Sequence, residues 1–121
     1  MTTETTLDRC AAYVAARAAL AEIQRTVERW PSELADHARL CALATVMTTA
    51  DSVDHAPTSA GRRRCVRAAL AAAIELSTAF EIARALGHGD AALDRASHDA
   101  GRTIAMLGLY LHASETPALV D

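Results

Sequence analysis

Residues 58–80, TSAGRRRCVRAALAAAIELSTAF, carry Arg62, Arg63, Arg64 and Arg67 at the start of what reads as a long helix. Guanidinium groups are planar forks that grip phosphate and carboxylate through paired hydrogen bonds. A helix N-terminus already bears partial positive charge, so cations placed there cost a few tenths of a kcal/mol each. The cluster therefore calls for anions: the phosphates of an RNA or ribonucleoprotein, or acids such as Asp51 and Asp54 at the end of the preceding helix. At about 100° per residue Arg63, Arg64 and Arg67 share one side of the helix, while Arg62 follows the apolar stripe but can reach past the helix end. No aromatic residues interleave with them, so base stacking is not implied and RNA would be held by its backbone. Three phosphate contacts give a slope of about −2.7 in log K against log salt, enough for useful binding only when repeated around an oligomer.

The remaining reactive side chains form weaker patterns. Glu-x-x-His, the signature of di-iron bundles, is absent. Asp94 and His98, Arg95 and Asp99, and His98 and Arg102 are each four residues apart, as expected for ion pairs on a solvated helix face. Asp51, Asp54 and His55 have no second cluster to answer them, and Arg84 and His88 are separated by a helix-ending Gly87. Cys10, Cys41 and Cys65 are odd in number and widely spaced, which fits reduced thiols rather than a disulfide framework or a zinc site. No phosphate loop, nucleophile elbow or Cys–His arrangement is read from the pattern. The expectation is a non-enzymatic protein with no metal and no cofactor.

These residues must be positioned by helices. The chain has 121 residues, 51% hydrophobic but only 3% aromatic, so its apolar content is mainly alanine and leucine, and no strand pattern occurs. One domain over residues 1–121 is expected, with helices at about 7–29, 32–54, 61–86 and 91–113 and a loose tail over 114–121. Thr5 or Thr6, Thr58 or Ser59, and Asp90 are the expected N-caps; Pro31 opens the second helix and Gly87 ends the third. Apolar stripes are expected at Leu7, Cys10, Val14, Leu20, Ile23 and Val27, then at Leu40, Leu43, Met47, Ala50 and Val53. The third helix offers Val66, Ala69, Ala73, Leu76 and Phe80, and the fourth Leu93, Ala100, Ile104, Leu107 and Leu111. Helices of about 22 residues are about 33 Å long, and joints this short make them antiparallel, an up-down-up-down four-helix bundle.

Ile82 lies nearly opposite the third stripe, and Met106 and Leu109 lie off the fourth. Apolar residues on a second face imply burial against a partner, most simply another copy of the chain. The opening MTTETTLDRC has no basic segment followed by an apolar run, and no stretch is apolar for the roughly eighteen residues a membrane span requires. A cytoplasmic protein with no membrane partner is expected. The net charge of −3 argues against a surface that binds nucleic acid all over.

CVRAALAAAIELSTAFEIARALG (65–87) resembles the third helix of the small bacterial four-helix-bundle family encoded in intervening sequences of 23S ribosomal RNA genes, F-L-x-x-A-x-G-S-x-x-E-L-x-x-x-L-x-x-A-x-x-L-G. Ala69, Glu75, Leu76, Ala83, Leu86 and Gly87 match it; Phe80 replaces a leucine, and Ala71 and Ala72 stand for the Gly-Ser pair. Trp30-Pro31 is similar to the family's aromatic-proline start of helix two, and AMLGLYL (105–111) to its closing segment. The family's N-I-A-E-G end of helix two appears here as Ser52, Val53, Asp54, His55 and Ala56. The resemblance spans about residues 7–113 and implies a homopentamer around a central channel. It also implies kinship with the basic pentameric accessory protein of diversity-generating retroelements, which binds nucleic acid and a reverse transcriptase. Five copies at −3 each would carry −15, so only a focused arginine ring would attract RNA.

Overall fold

The structure, a computed structural model, describes residues 6–115. Four helices, α1 (Ala11–Thr26), α2 (Ser32–Val53), α3 (Ala60–Ala85) and α4 (Ala91–Glu115), form an all-α four-helix bundle, with α2 against α3, α1 against α4, and the ring closed by α3–α4 and α1–α2. Among the described residues there is no strand, and no helix is long and apolar enough to cross a membrane.

Local chemistry sets the helix ends. Leu7–Arg9 form a 3-10 turn, and α1 starts only at Ala11 because Cys10 is extended (ψ 107°). No side chain caps that start: Thr6 forms no cap bond, and Thr5 lies outside the described residues. α1 also stops three residues early, where the Trp30 N–H turns back to the Val27 carbonyl, as suits a residue preceding proline. Ser59 caps α3 by accepting from the Arg62 N–H, and Asp90 accepts from the Leu93 N–H at 2.8 Å. Gly87, at φ +90°, ends α3 in a Schellman motif: its own N–H meets the Arg84 carbonyl and that of His88 meets Ala83. At its far end α4 continues to Glu115, past the expected 113.

The core is alanine-lined, as expected, and its largest fully buried side chains are Phe80, Ile23, Leu76, Leu93 and Leu107. Trp30 meets Phe80 edge to face, with ring centroids 6.1 Å apart. The stripe expected for α3 is buried throughout. In α4 Leu93, Ala100 and Leu107 are buried, with Ile104 and Leu111 half-buried.

The stripe expected for α2 is wrong. Leu40 is 66% exposed, Leu43 45% and Met47 57%; the buried face is Ala35, Ala38, Cys41, Ala42, Thr45, Thr49 and Ser52. The hydroxyls on this face are satisfied by their own helix: Thr45 donates to the Cys41 carbonyl, Thr49 to Thr45 and Ser52 to Thr49, all within 2.7 Å. A hydroxyl paired in this way no longer demands water, and small side chains admit the close approach of α3. Val14 in α1 is likewise turned outward, at 38% exposure, while Ala12, Ala15, Ala16 and Ala19 fill the inside.

Candidate functional site

The antiparallel arrangement brings the start of α3 beside the ends of α2 and α4, and this gives two of its arginines partners. Arg62 Nη1 donates to the His55 carbonyl at 3.3 Å, just past α2. Arg63 Nη1 donates to the Thr58 carbonyl at 2.8 Å and to the Ser114 carbonyl of α4 at 3.4 Å. The Ser114 carbonyl lies in the last turn of α4 and carries partial negative charge, so this contact offsets part of the cost of a cation at the start of α3. The turn folds tightly over that start: a Cβ on Gly61 would collide with the His55 ring.

Arg63 thus differs in its contacts from Arg64 and Arg67, with which it was expected to share one side. Arg62 and Arg63 bind the protein's own carbonyls, whereas Arg64 and Arg67 are exposed on α3. Arg62 is joined instead by Arg9, outside the expected cluster. The two line a cleft of about 390 Å³ together with Cys10, His55 and Tyr110. Burial, and next the neighbouring Cys10, push the Tyr110 hydroxyl above its ordinary pKa. No sequence spacing connects Arg9 with Arg62, because two different helix starts supply them.

The other charged groups chiefly join helices. Arg84 reaches Glu81 at 3.0 Å, Asp94 at 3.1 Å and Ser97 at 3.0 Å, tying α3 to α4. Arg95 turns to Glu22 of α1 at 3.4 Å, and Arg102 lies 3.9 Å from Asp99 one turn back. Asp94 and Arg95 thus pair across helices rather than four residues along α4.

A second cluster corrects the reading that no Cys–His arrangement exists. His37 and Cys41 stand one turn apart on α2, with Nε2 3.5 Å from Sγ, and Glu75 of α3 accepts from the Cys41 thiol at 3.6 Å. Cys41 is buried while His37 and Glu75 are exposed, so the group spans from the α2–α3 packing to the surface. Burial, then the hydrogen bond and charge of Glu75, push the Cys41 thiol up to about 11 from an ordinary 9.0. The i,i+4 spacing of His37 and Cys41 was the available signal; Glu75 is supplied by the partner helix.

The third feature is apolar. Leu40, Leu43 and Met47 run along α2 opposite its buried face, and Ile74 (49% exposed) and Ile82 (46%) stand on the outer side of the adjoining α3. Leu86 at the end of α3 and Leu109 on α4 are also exposed. Isolated aliphatics are ordinary at a protein surface, whereas here Leu40, Leu43 and Met47 form a continuous stripe on a helix whose inner face is small. Comparison of the chain with protein-family models, with curated proteins and with solved structures gives no match.

Proposed function

We propose that this protein is a non-enzymatic, cytoplasmic, homo-oligomeric helical-bundle scaffold whose copies associate through the outer face of α2 and α3. One observation carries the reading: α2 keeps small residues for its own bundle and turns Leu40, Leu43 and Met47 outward. Burying these side chains against a neighbour removes apolar surface from water at about 25 cal/mol per Å². A reducing compartment is supported by three free cysteines. The pentameric number comes from the resemblance over about residues 7–113 alone. Light scattering on a sizing column tests the assembly. A multiple of 12.8 kDa is expected, about 64 kDa for five copies, with L40E/M47E reducing it to the monomer mass. A mass near 12.8 kDa for the unaltered chain at micromolar concentration overturns the proposal.

A second reading, RNA or ribonucleoprotein binding, is favoured by the exposed Arg64 and Arg67 and by the Arg9–Arg62 cleft at the same end of the bundle. Arg62 and Arg63 already hold backbone carbonyls, which leaves a smaller contact surface than the expected trio of Arg63, Arg64 and Arg67. Two phosphate contacts per subunit give a salt slope of about −1.8. R64E/R67E is expected to abolish retention of RNA at low salt; unchanged retention removes this reading and leaves a protein-only scaffold.

A further inference from the structure

We propose that His37, Cys41 and Glu75 form a binding site for a transition-metal dication of the zinc type. The three donor atoms, one imidazole nitrogen, one sulfur and one carboxylate oxygen, all lie within 4.8 Å of one another. In a tetrahedral zinc centre, metal–sulfur bonds of about 2.3 Å and metal–nitrogen or metal–oxygen bonds of about 2.0–2.1 Å place sulfur about 3.5–3.6 Å from each of the other two ligands. Here Sγ is 3.5 Å from His37 Nε2 and 3.6 Å from Glu75 Oε2. The two edges that meet at sulfur therefore already have the length a bound ion requires.

The donor chemistry narrows the ion. Thiolate and imidazole suit zinc, cobalt, nickel or copper and disfavour magnesium and calcium, which select oxygen. A thiolate, a carboxylate and a neutral imidazole carry two negative charges, which a dication neutralises. Binding would form a metal–sulfur bond and release the Cys41 proton to solvent. Two ligands lie one turn apart on α2 and the third is on α3, so two packed helices rather than loops hold the set. His37 and Glu75 face solvent, leaving an approach for the ion and a fourth position for water or a partner's side chain. The site lies along the α2–α3 pair but does not depend on self-association, because one chain supplies all three ligands.

The test uses the full chain, reduced, metal-free and without a histidine tag, titrated anaerobically with cobalt(II). One cobalt per chain is expected, with a thiolate-to-cobalt charge-transfer band in the near ultraviolet and visible bands of four-coordinate intensity, all removed by equimolar zinc. C41S is expected to lose the charge-transfer band, and H37Q and E75Q to weaken binding at least tenfold each. The last two change exposed residues and keep the test decisive if C41S does not fold. Absence of stoichiometric binding, or cobalt affinity unchanged in both H37Q and E75Q, overturns the proposal and leaves a hydrogen-bonded trio.

Discussion

α2 and α3 lie side by side and are both rich in alanine, yet they bury opposite kinds of residue. α3 turns Val66, Leu76 and Phe80 inward, and its stripe can be read directly from helical spacing. α2 buries alanine, threonine, serine and one cysteine, and presents leucine and methionine to the outside. The pair divides the labour: α3 supplies the bulk of their shared core, and α2 supplies a thin face that lets α3 approach. The contrast shows that hydrophobic size marks a buried face only when the facing helix leaves room for it.

The largest way to probe this difference is truncation. F80A in α3 is expected to cost about 3–5 kcal/mol in denaturant unfolding, whereas L43A in α2, measured where the chain is monomeric, should stay within about 0.5 kcal/mol. Equal losses would place Leu43 in the core and break the comparison.

Next comes the sulfur that α2 buries. A thiol at about 11, against 9.0 in the unfolded chain, lowers the thiolate fraction near pH 8 about hundredfold. Alkylation of Cys41 should be slower in the fold than in denaturant by at least that factor. Because the folded pKa is the higher one, this contribution is complete below about pH 9 and is lost as pH rises towards about 11. C41A should flatten stability across that window.

Overpacking tests the thin face directly. A42L, at a position 1% exposed, should destabilise by about 1–3 kcal/mol even though it adds apolar bulk to a buried face. R63A should cost about 1 kcal/mol by releasing the carbonyls of Thr58 and Ser114, with fraying of the α4 end seen in amide exchange. The smallest effect belongs to T49V. Its hydroxyl serves only the Thr45 carbonyl one turn back, so the change should stay below about 1 kcal/mol. A loss of several kcal/mol would show that the buried hydroxyls hold more than their own helix.

Much of the fold was legible along the chain. The four helices, the Ser59 and Asp90 caps and the Gly87 stop were all expected, and each rests on groups within five residues of one another. The α2 face was not legible, because Thr45, Thr49 and Ser52 look solvated until their hydroxyls are seen donating to their own helix. At the candidate sites, the arginines were expected to meet phosphates or the carboxylates of Asp51 and Asp54, whereas Arg62 and Arg63 meet the backbone carbonyls of His55, Thr58 and Ser114. His37 and Cys41 were half of a visible pattern, with Glu75 hidden 34 residues beyond the cysteine.

Composition and near-neighbour spacing were therefore sufficient to dictate an alanine-rich quartet of helices and where most of them start and stop, since helix formation and capping are short-range. The inward face of α2, the carbonyls met by the arginines, and the union of His37, Cys41 and Glu75 were settled by packing. Each depends on which distant helix comes alongside and how closely, and steric fit between helices is not encoded in the periodicity of any one of them.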